Sequence, residues 1–466
     1  LAIRHFVKCL EAGGAHRRPW DYPLVLTFSA LAMASKSSTV ILPAVLALCA
    51  WWMGTRRPGK IAGMLAPVLL MSVASAVLSV WTQQVEGADS PLWERNLPER
   101  LAVAGRVFWF YLGKLAWPRP LVFIYPRWQI ESGHWTAYWA SVSMGLVLVV
   151  AWLNRKGRFK AFFFASGYFV LALLPVLGLV DHFFLRYSFV GDHFQYLASM
   201  GPLALASAGI SVGFRALGKE GRLFHAPFGA ALLCVLGVLT WRQSANYKDA
   251  ATLWRATLRA NPDCWLALHN MGVAAAKEGR VDEAFADFHR TLAINPRYAE
   301  AHNNLGTLLM AKGSLDAAFE EYRKALETDG NNPEINRSAG VALLRMGRPD
   351  EAIVYFQHAL MADPGNADVH NVLGVAFLKT SQLENAAAEF KRTVELSPAY
   401  AEGISNLGTA LLDLGRLDEA VAQYRKAVDL APGNPAFHRS LGIALSRQGN
   451  APESDEQFRE ELRLRR

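Results

Sequence analysis

The sequence predicts an all-α chain, a polytopic helical membrane domain followed by an α-solenoid of short repeats. Two observations carry most of this. Over about the last 220 residues, four kinds of residue recur at intervals of 34. Ahead of them, apolar runs alternate with short basic segments. A third observation separates the halves by charge: residues 1–246 hold 23 Lys/Arg against 10 Asp/Glu, and residues 247–466 hold 25 against 30.

The repeats justify the solenoid. Gly272, Gly306, Gly340, Gly374, Gly408 and Gly442 share one register. Ala284 to Ala420 form a second ladder, with Ser454 closing it, and the aromatics Trp254, Phe288, Tyr322, Phe356, Phe390, Tyr424 and Phe458 a third. Prolines at 262, 296, 364, 398 and 432 form the fourth, replaced once by Gly330. Two antiparallel helices per unit explain the pattern. Gly and Ala let their backbones approach, the aromatic fills the space beside them, and Pro stops the second helix. The pattern resembles the tetratricopeptide repeat (TPR), which implies a right-handed superhelix with a concave groove. Seven units span 246–466, the first reduced to its second helix over about Asn246–Asn261. The last unit ends in a charged face, Glu461–Arg466, suited to closing the stack.

The basic residues of the first half lie between apolar runs, so they read as cytoplasmic loops of a membrane protein rather than as a nucleic-acid surface. Four cysteines without a CxxC or Cys/His cluster point to neither a disulfide framework nor a metal site. Beginning at Leu1 inside a polar segment, the sequence reads as a piece whose N-terminal part is missing.

Taken in order, residues 1–20 are a basic cytoplasmic flank. Short apolar runs follow at 22–35 and 38–53, parted by Ser35–Lys36–Ser37, then a full-length run at 61–81. A polar outer segment occupies 82–134. Within it, 101–117 is apolar but carries Arg100, Arg106 and Lys114 within about a third of the helical wheel, which fits a helix lying in the interface as well as one crossing. Further spans are expected at 136–153, 161–180, 197–217 and 226–241 within a membrane domain of 21–245. If 101–117 does not cross, all four basic segments fall on the cytoplasmic side. That arrangement gives about seven spans and an extracytoplasmic repeat array at the plasma membrane.

Three stretches invite chemistry. The loop 181–196 packs Asp181, His182, Arg186, Asp192, His193 and Tyr196 between two spans. It reads either as a solvated interfacial loop or as a site for an anionic lipid-linked substrate, with Arg186 clamping phosphate and Asp192 with His193 orienting sugar hydroxyls. Lys36 either snorkels or meets a lipid phosphate. The motif Tyr111–Pro118, followed by Tyr125–Pro126, reads as an interfacial anchor. In the repeats, Asn270, Asn304, Ser338, Val372, Asn406 and Ser440 share one position of the first helix. An Asn amide there can hold peptide backbone, as the Asn ladder does in TPRs similar to those of O-GlcNAc transferases.

Ser35–Pro43, Tyr111–Pro118 and Asp192–Gly201, in this order before TPRs, resemble the transmembrane-and-TPR-containing O-mannosyltransferases, which are similar to GT-C glycosyltransferases. The resemblance implies sugar transfer from a polyprenyl-phosphate donor to Ser or Thr of extracytoplasmic proteins, with Asp192, His193 and Tyr196 matching the family pattern; Lys36 and Arg186 join them on the donor side by their charge. It implies peptide contacts at Asn270, Asn304 and Asn406. No cofactor is implied beyond that donor. In the family pattern Arg stands where this chain has His193, and Pro where it has Ala198. The family's catalytic acid lies in a first outer loop that falls ahead of Leu1, so no catalytic residue is assigned. The alternative reading is a non-catalytic membrane-anchored scaffold whose TPRs assemble proteins; a polysaccharide ligase with a TPR tail is a weaker third.

Overall fold

A computed structural model describes residues 1–11, 19–55, 57–85, 95–179 and 183–465. Every regular element among them is helical. The chain forms two compact units, Leu1–Ala267 and Leu268–Arg466.

The first unit opens with α1 (Ala2–Glu11) and α2 (Asp21–Ser35). The opening segment, expected as a polar flank, instead buries Ala2, Phe6 and Cys9 in a core shared with Val25, Leu46 and Val68. His5 Nδ1 sits 2.8 Å from Asp21 Oδ1. After Lys36 the chain makes a 3-10 turn, Ser37–Ile41, and then α3 (Leu42–Trp52), so the run expected at 38–53 is a short, broken helix. α4 (Pro58–Val85) is long and apolar. α5 (Leu97–Ala116) starts at an Asn96 cap whose side chain accepts from the Glu99 N–H.

α5 buries Val103, Val107, Phe108 and Tyr111 against α7 and the segments around 122–125 and 185–190. Its basic residues find backbone carbonyls: Arg100 donates to Leu179, Arg106 to Gln129 and Lys114 to Pro120. α6 (Trp139–Leu153) packs on α5 where Gly105 meets the Ser141 backbone. α7 (Lys160–Leu173) tightens into a 3-10 turn at Leu174–Val176, where Pro175 ends it. α8 (Gln195–Ala198) and α9 (Met200–Ala216) are bent by 59°. α10 (Gly218–Ser244) follows a turn at Gly218, whose φ of +66° belongs to glycine.

Three described helices are long and apolar enough to cross a membrane, Pro58–Thr82, Trp135–Leu153 and Gly218–Tyr247; the bent pair Asp192–Ala216 makes a fourth if taken as one span. The runs at 38–53 and 161–180 fall short because a 3-10 segment and Pro175 interrupt them. α11 (Ala250–Ala260), capped by the Asp249 side chain on the Thr252 N–H, is the lone second helix that begins the repeats.

Six helix pairs follow: α12 and α13 (Trp265–Lys277, Val281–Ile294), α14 and α15 (Ala299–Ala311, Leu315–Thr328), α16 and α17 (Pro333–Arg345, Pro349–Ala362), α18 and α19 (Ala367–Lys379, Leu383–Leu396), α20 and α21 (Ala401–Asp413, Leu417–Leu430), α22 and α23 (Pro435–Gln448, Ala451–Leu464). The glycine ladder has a direct cause. A Cβ on Gly340 would lie 2.5 Å from the Phe356 ring, and Gly306, Gly374 and Gly442 face Tyr322, Phe390 and Phe458 in the same way. The aromatic therefore fills space within its own unit, while Tyr322 also reaches Ile335, Ala339 and Ala342 of the next. From α14 onward, first helices of successive units touch one another more closely than second helices do, which places first helices on the inner row.

Candidate functional site

In the first unit the structure gathers the predicted donor-side residues at one end. Asp192 opens the turn before α8, and its Oδ1 accepts from the Tyr125 hydroxyl at 2.8 Å. That hydroxyl also lies 3.2 Å from the Pro120 carbonyl, but it has one proton and the carboxylate is the nearer, stronger acceptor. Asp192 is thus held in place through one carboxylate oxygen.

Tyr111 fixes the same loop from the other side. Its hydroxyl donates to the Gly191 carbonyl at 3.1 Å and accepts from the Gly191 N–H at 2.9 Å. Within the motif read as an interfacial anchor, Tyr111 is thus a fully enclosed clamp, while Trp117 is exposed. Lys114 lies 5.4 Å over the Phe110 ring and 5.3 Å over Tyr125.

Lys36 ends α2 in extended backbone and is exposed at the rim of a cavity of about 550 Å³ between α2 and α4. At His193, burial is the larger electrostatic influence and the charge of Lys36 the second. His193 is half-buried, edge-on to Phe184 at 5.5 Å and tilted on Phe194 at 4.1 Å. Tyr196 is 67% exposed and acts electrostatically on Tyr247, as does Asp192. Arg186 closes a 3-10 turn, Phe183–Arg186, but its side chain, with Asp181 and His182, lies outside the described residues.

In the repeats, Asn270 and Asn304 are half-buried on α12 and α14. Asn406 is already engaged, its Nδ2 donating to Asn371 Oδ1 at 2.9 Å. One position earlier in the register, His269 Nδ1 and Asn303 Oδ1 are buried and meet no hydrogen-bond partner among the described residues. Burial lowers the His269 pKa to about 4, so its ring is neutral near pH 7.

A further ladder escaped the sequence reading. His302, His370 and His438 turn Nε2 to the carbonyls of Pro296, Pro364 and Pro432 at 2.9, 3.2 and 2.9 Å. Their Nδ1 atoms lie 2.6 Å from Glu321, 2.6 Å from Glu389 and 2.7 Å from Gln457. At Gly330, the unit without Pro, Asn336 Nδ2 makes the carbonyl contact at 2.9 Å. Each of these side chains ties the turn between two units to the helix that follows. The signal was three histidines 68 residues apart, broken by Asn336 and Ile404.

Family models described as tetratricopeptide or TPR repeat match residues 242–296, 275–339, 309–375, 343–403 and 408–449. The solenoid is therefore built of TPRs. Comparison with curated proteins gives no match. Solved structures similar to this chain include MamA from Desulfovibrio magneticus RS-1, 25% identical over 36% of this chain and 95% of that one, with a TM-score of 0.35. YrrB, described as a TPR protein with an unusual peptide-binding site, is 26% identical over 38% and 91%, with a TM-score of 0.34. PilW, described as a type IV pilus biogenesis factor, is 22% identical over 41% and 90%, with a TM-score of 0.39.

Proposed function

We propose that this chain is a membrane-inserted helical base carrying a TPR solenoid that holds an extended protein segment along its inner row of helices. The observation that carries the binding role is the pair of buried, unpartnered polar atoms on His269 and Asn303, each beside a ladder residue, Asn270 or Asn304. Unsatisfied buried polar atoms are costly, so these two side chains gain by turning outward to meet backbone N–H and C=O groups of a bound segment. On second helices Arg323, Arg392 and Arg425 pair with Glu320, Glu395 and Glu453. Arg337 and Arg345 on the first helix α16 make no ion pair among the described residues, and both act on the Tyr322 hydroxyl.

The membrane reading rests on exposure. Leu70, Val77, Leu146, Leu153, Leu233 and Trp241 on α4, α6 and α10 are each more than half exposed. Apolar faces of that extent suit lipid. The basic segment at 154–160 reaches the end of α3, where Lys160 donates to the Trp52 carbonyl, while Lys36 and His193 share the opposite end of that bundle. This supports a cytoplasmic end and an outer end.

The test is capture of extended peptides by the full chain in detergent micelles. The Asn270→Ala/Asn304→Ala double variant should weaken binding by about tenfold. Equal binding by variant and parent would remove the ladder from the site. A second reading, sugar transfer from a polyprenyl-phosphate donor to Ser or Thr, is favoured by one observation, the gathering of Lys36, Asp192, His193 and Tyr196 around one end of the base. Transfer of radiolabelled sugar by membranes holding the full chain decides between a scaffold and an enzyme.

A further inference from the structure

The segment after α5 lies against the end of α10 and α11 and encloses a cavity of about 490 Å³. Its walls are knitted together. Gln243 Nε2 donates to the Leu121 carbonyl at 3.1 Å, Asn261 Nδ2 donates to the Ile124 carbonyl at 3.3 Å, and Phe123 meets Trp254 edge-on at 5.6 Å. Ile124 is buried with Cys264 and Ala267 beneath.

Two arginines, both exposed, border this cavity, Arg119 from the segment and Arg259 from the last turn of α11. Neither makes a side-chain hydrogen bond or ion pair among the described residues. No Asp or Glu lines the cavity. The acid nearest in influence, Asp192, acts on Tyr247 at the rim but is held by Tyr125. Asn246 and Tyr247 add polar groups to the same wall, while Leu121 and Leu253 supply apolar surface.

We propose that this cavity seats a phosphate-bearing ligand. Two planar forks on different walls offer more donors than one carboxylate has oxygens, whereas a phosphate monoester presents three terminal oxygens and nearly two negative charges. The cavity exceeds what inorganic phosphate alone would fill, so an organic group shares it, with Asn246 and Tyr247 within reach of hydroxyls. The phosphate comes either from a soluble ester or from a lipid headgroup, because the seat adjoins the end of the long apolar helix α10. The proposal stands independently of the groove reading.

The experiment uses the full chain in neutral detergent. Isothermal titration with inorganic phosphate and with glycerol 3-phosphate forms the soluble arm. Mixed micelles of phosphatidic acid, against phosphatidylcholine alone, form the headgroup arm. Binding in either arm, weakened about tenfold or more by Arg119→Gln and by Arg259→Gln, supports the seat, and the arm that responds names the source. Arg119→Lys should recover part of the loss. Arg255→Gln, on the same helix but outside the cavity, should change nothing. Thermal melting confirms that each variant keeps the parent fold; should one glutamine variant lose it, the other and Arg119→Lys carry the test. Absence of binding in both arms, equal weakening by Arg255→Gln, or equal binding to phosphatidylcholine alone overturns the proposal.

Discussion

Ser381 has a φ of 59°, the one positive value at a non-glycine among the described residues. Gly279, Gly313, Gly347, Gly415 and Gly449 occupy the same turn in other units with φ between 75° and 86°. The left-handed conformation costs a side chain about 1 kcal/mol, so Ser381→Gly should stabilise the solenoid by up to about that amount, read as a raised midpoint in urea. His269 sets a pH dependence. Burial lowers its folded pKa to about 4, against about 6.5 unfolded. Its contribution is complete above pH 6.5 and is lost as pH falls toward 4, because the unfolded chain takes up the proton first. For Glu321, burial acts to raise the pKa, but hydrogen bonds from His302 and Lys324 outweigh it and hold the carboxyl below its ordinary range, so further stability is lost below about pH 4.5. Protection factors across α12 and α13, with the intrinsic pH dependence of exchange divided out, should fall between pH 6.5 and 4, and His269→Phe should flatten that change. The glycine and aromatic ladders were legible because one residue type holds each position. The carbonyl clamp was not, since His302, Asn336 and His370 perform it with different side chains, and Tyr125 and Asp192 meet across 67 residues of sequence.

The helix pair α5 and α6 shows what one small residue decides for an element. A Cβ on Gly105 would stand 2.2 Å from the Ser141 backbone nitrogen, and Ser141 Oγ donates to the Leu101 carbonyl at 2.6 Å on the same face. Gly105→Ala should push the helices apart and lower stability by about 1–3 kcal/mol, measured as a reduced melting temperature in detergent. This contact was not legible beforehand, because a lone glycine in an apolar run has no register to betray it. The cations of 101–117 teach a similar lesson. Hydropathy sees three cations on an apolar helix, but not that Arg100, Arg106 and Lys114 each have a backbone carbonyl to bind.

For the whole molecule, the repeat period predicted the solenoid almost residue by residue, whereas hydropathy predicted spans that proline and 3-10 turns cut short. The proposed orientation makes a firm expectation. Native Cys9 and Cys264 are buried, so the probe belongs at exposed positions. In intact cells, a membrane-impermeant maleimide should label Glu300→Cys and spare Lys156→Cys. The reverse pattern would place the repeats in the cytoplasm and remove the extracytoplasmic reading.

The carbonyl clamp also makes the solenoid mechanically uneven. Four joints between units carry it, at His302, Asn336, His370 and His438, but the joint after Pro398 has Ile404 there, buried against Ala427 and Phe437. A hydrocarbon side chain can press on a neighbour but cannot tether a carbonyl. The joint after Pro262, with Leu268 in that position, lacks the clamp too; among the joints between the six helix pairs, the one after Pro398 is the compliant link under tension. Ile404→His should stiffen it, seen as slower amide exchange around residues 397–404 than in the parent.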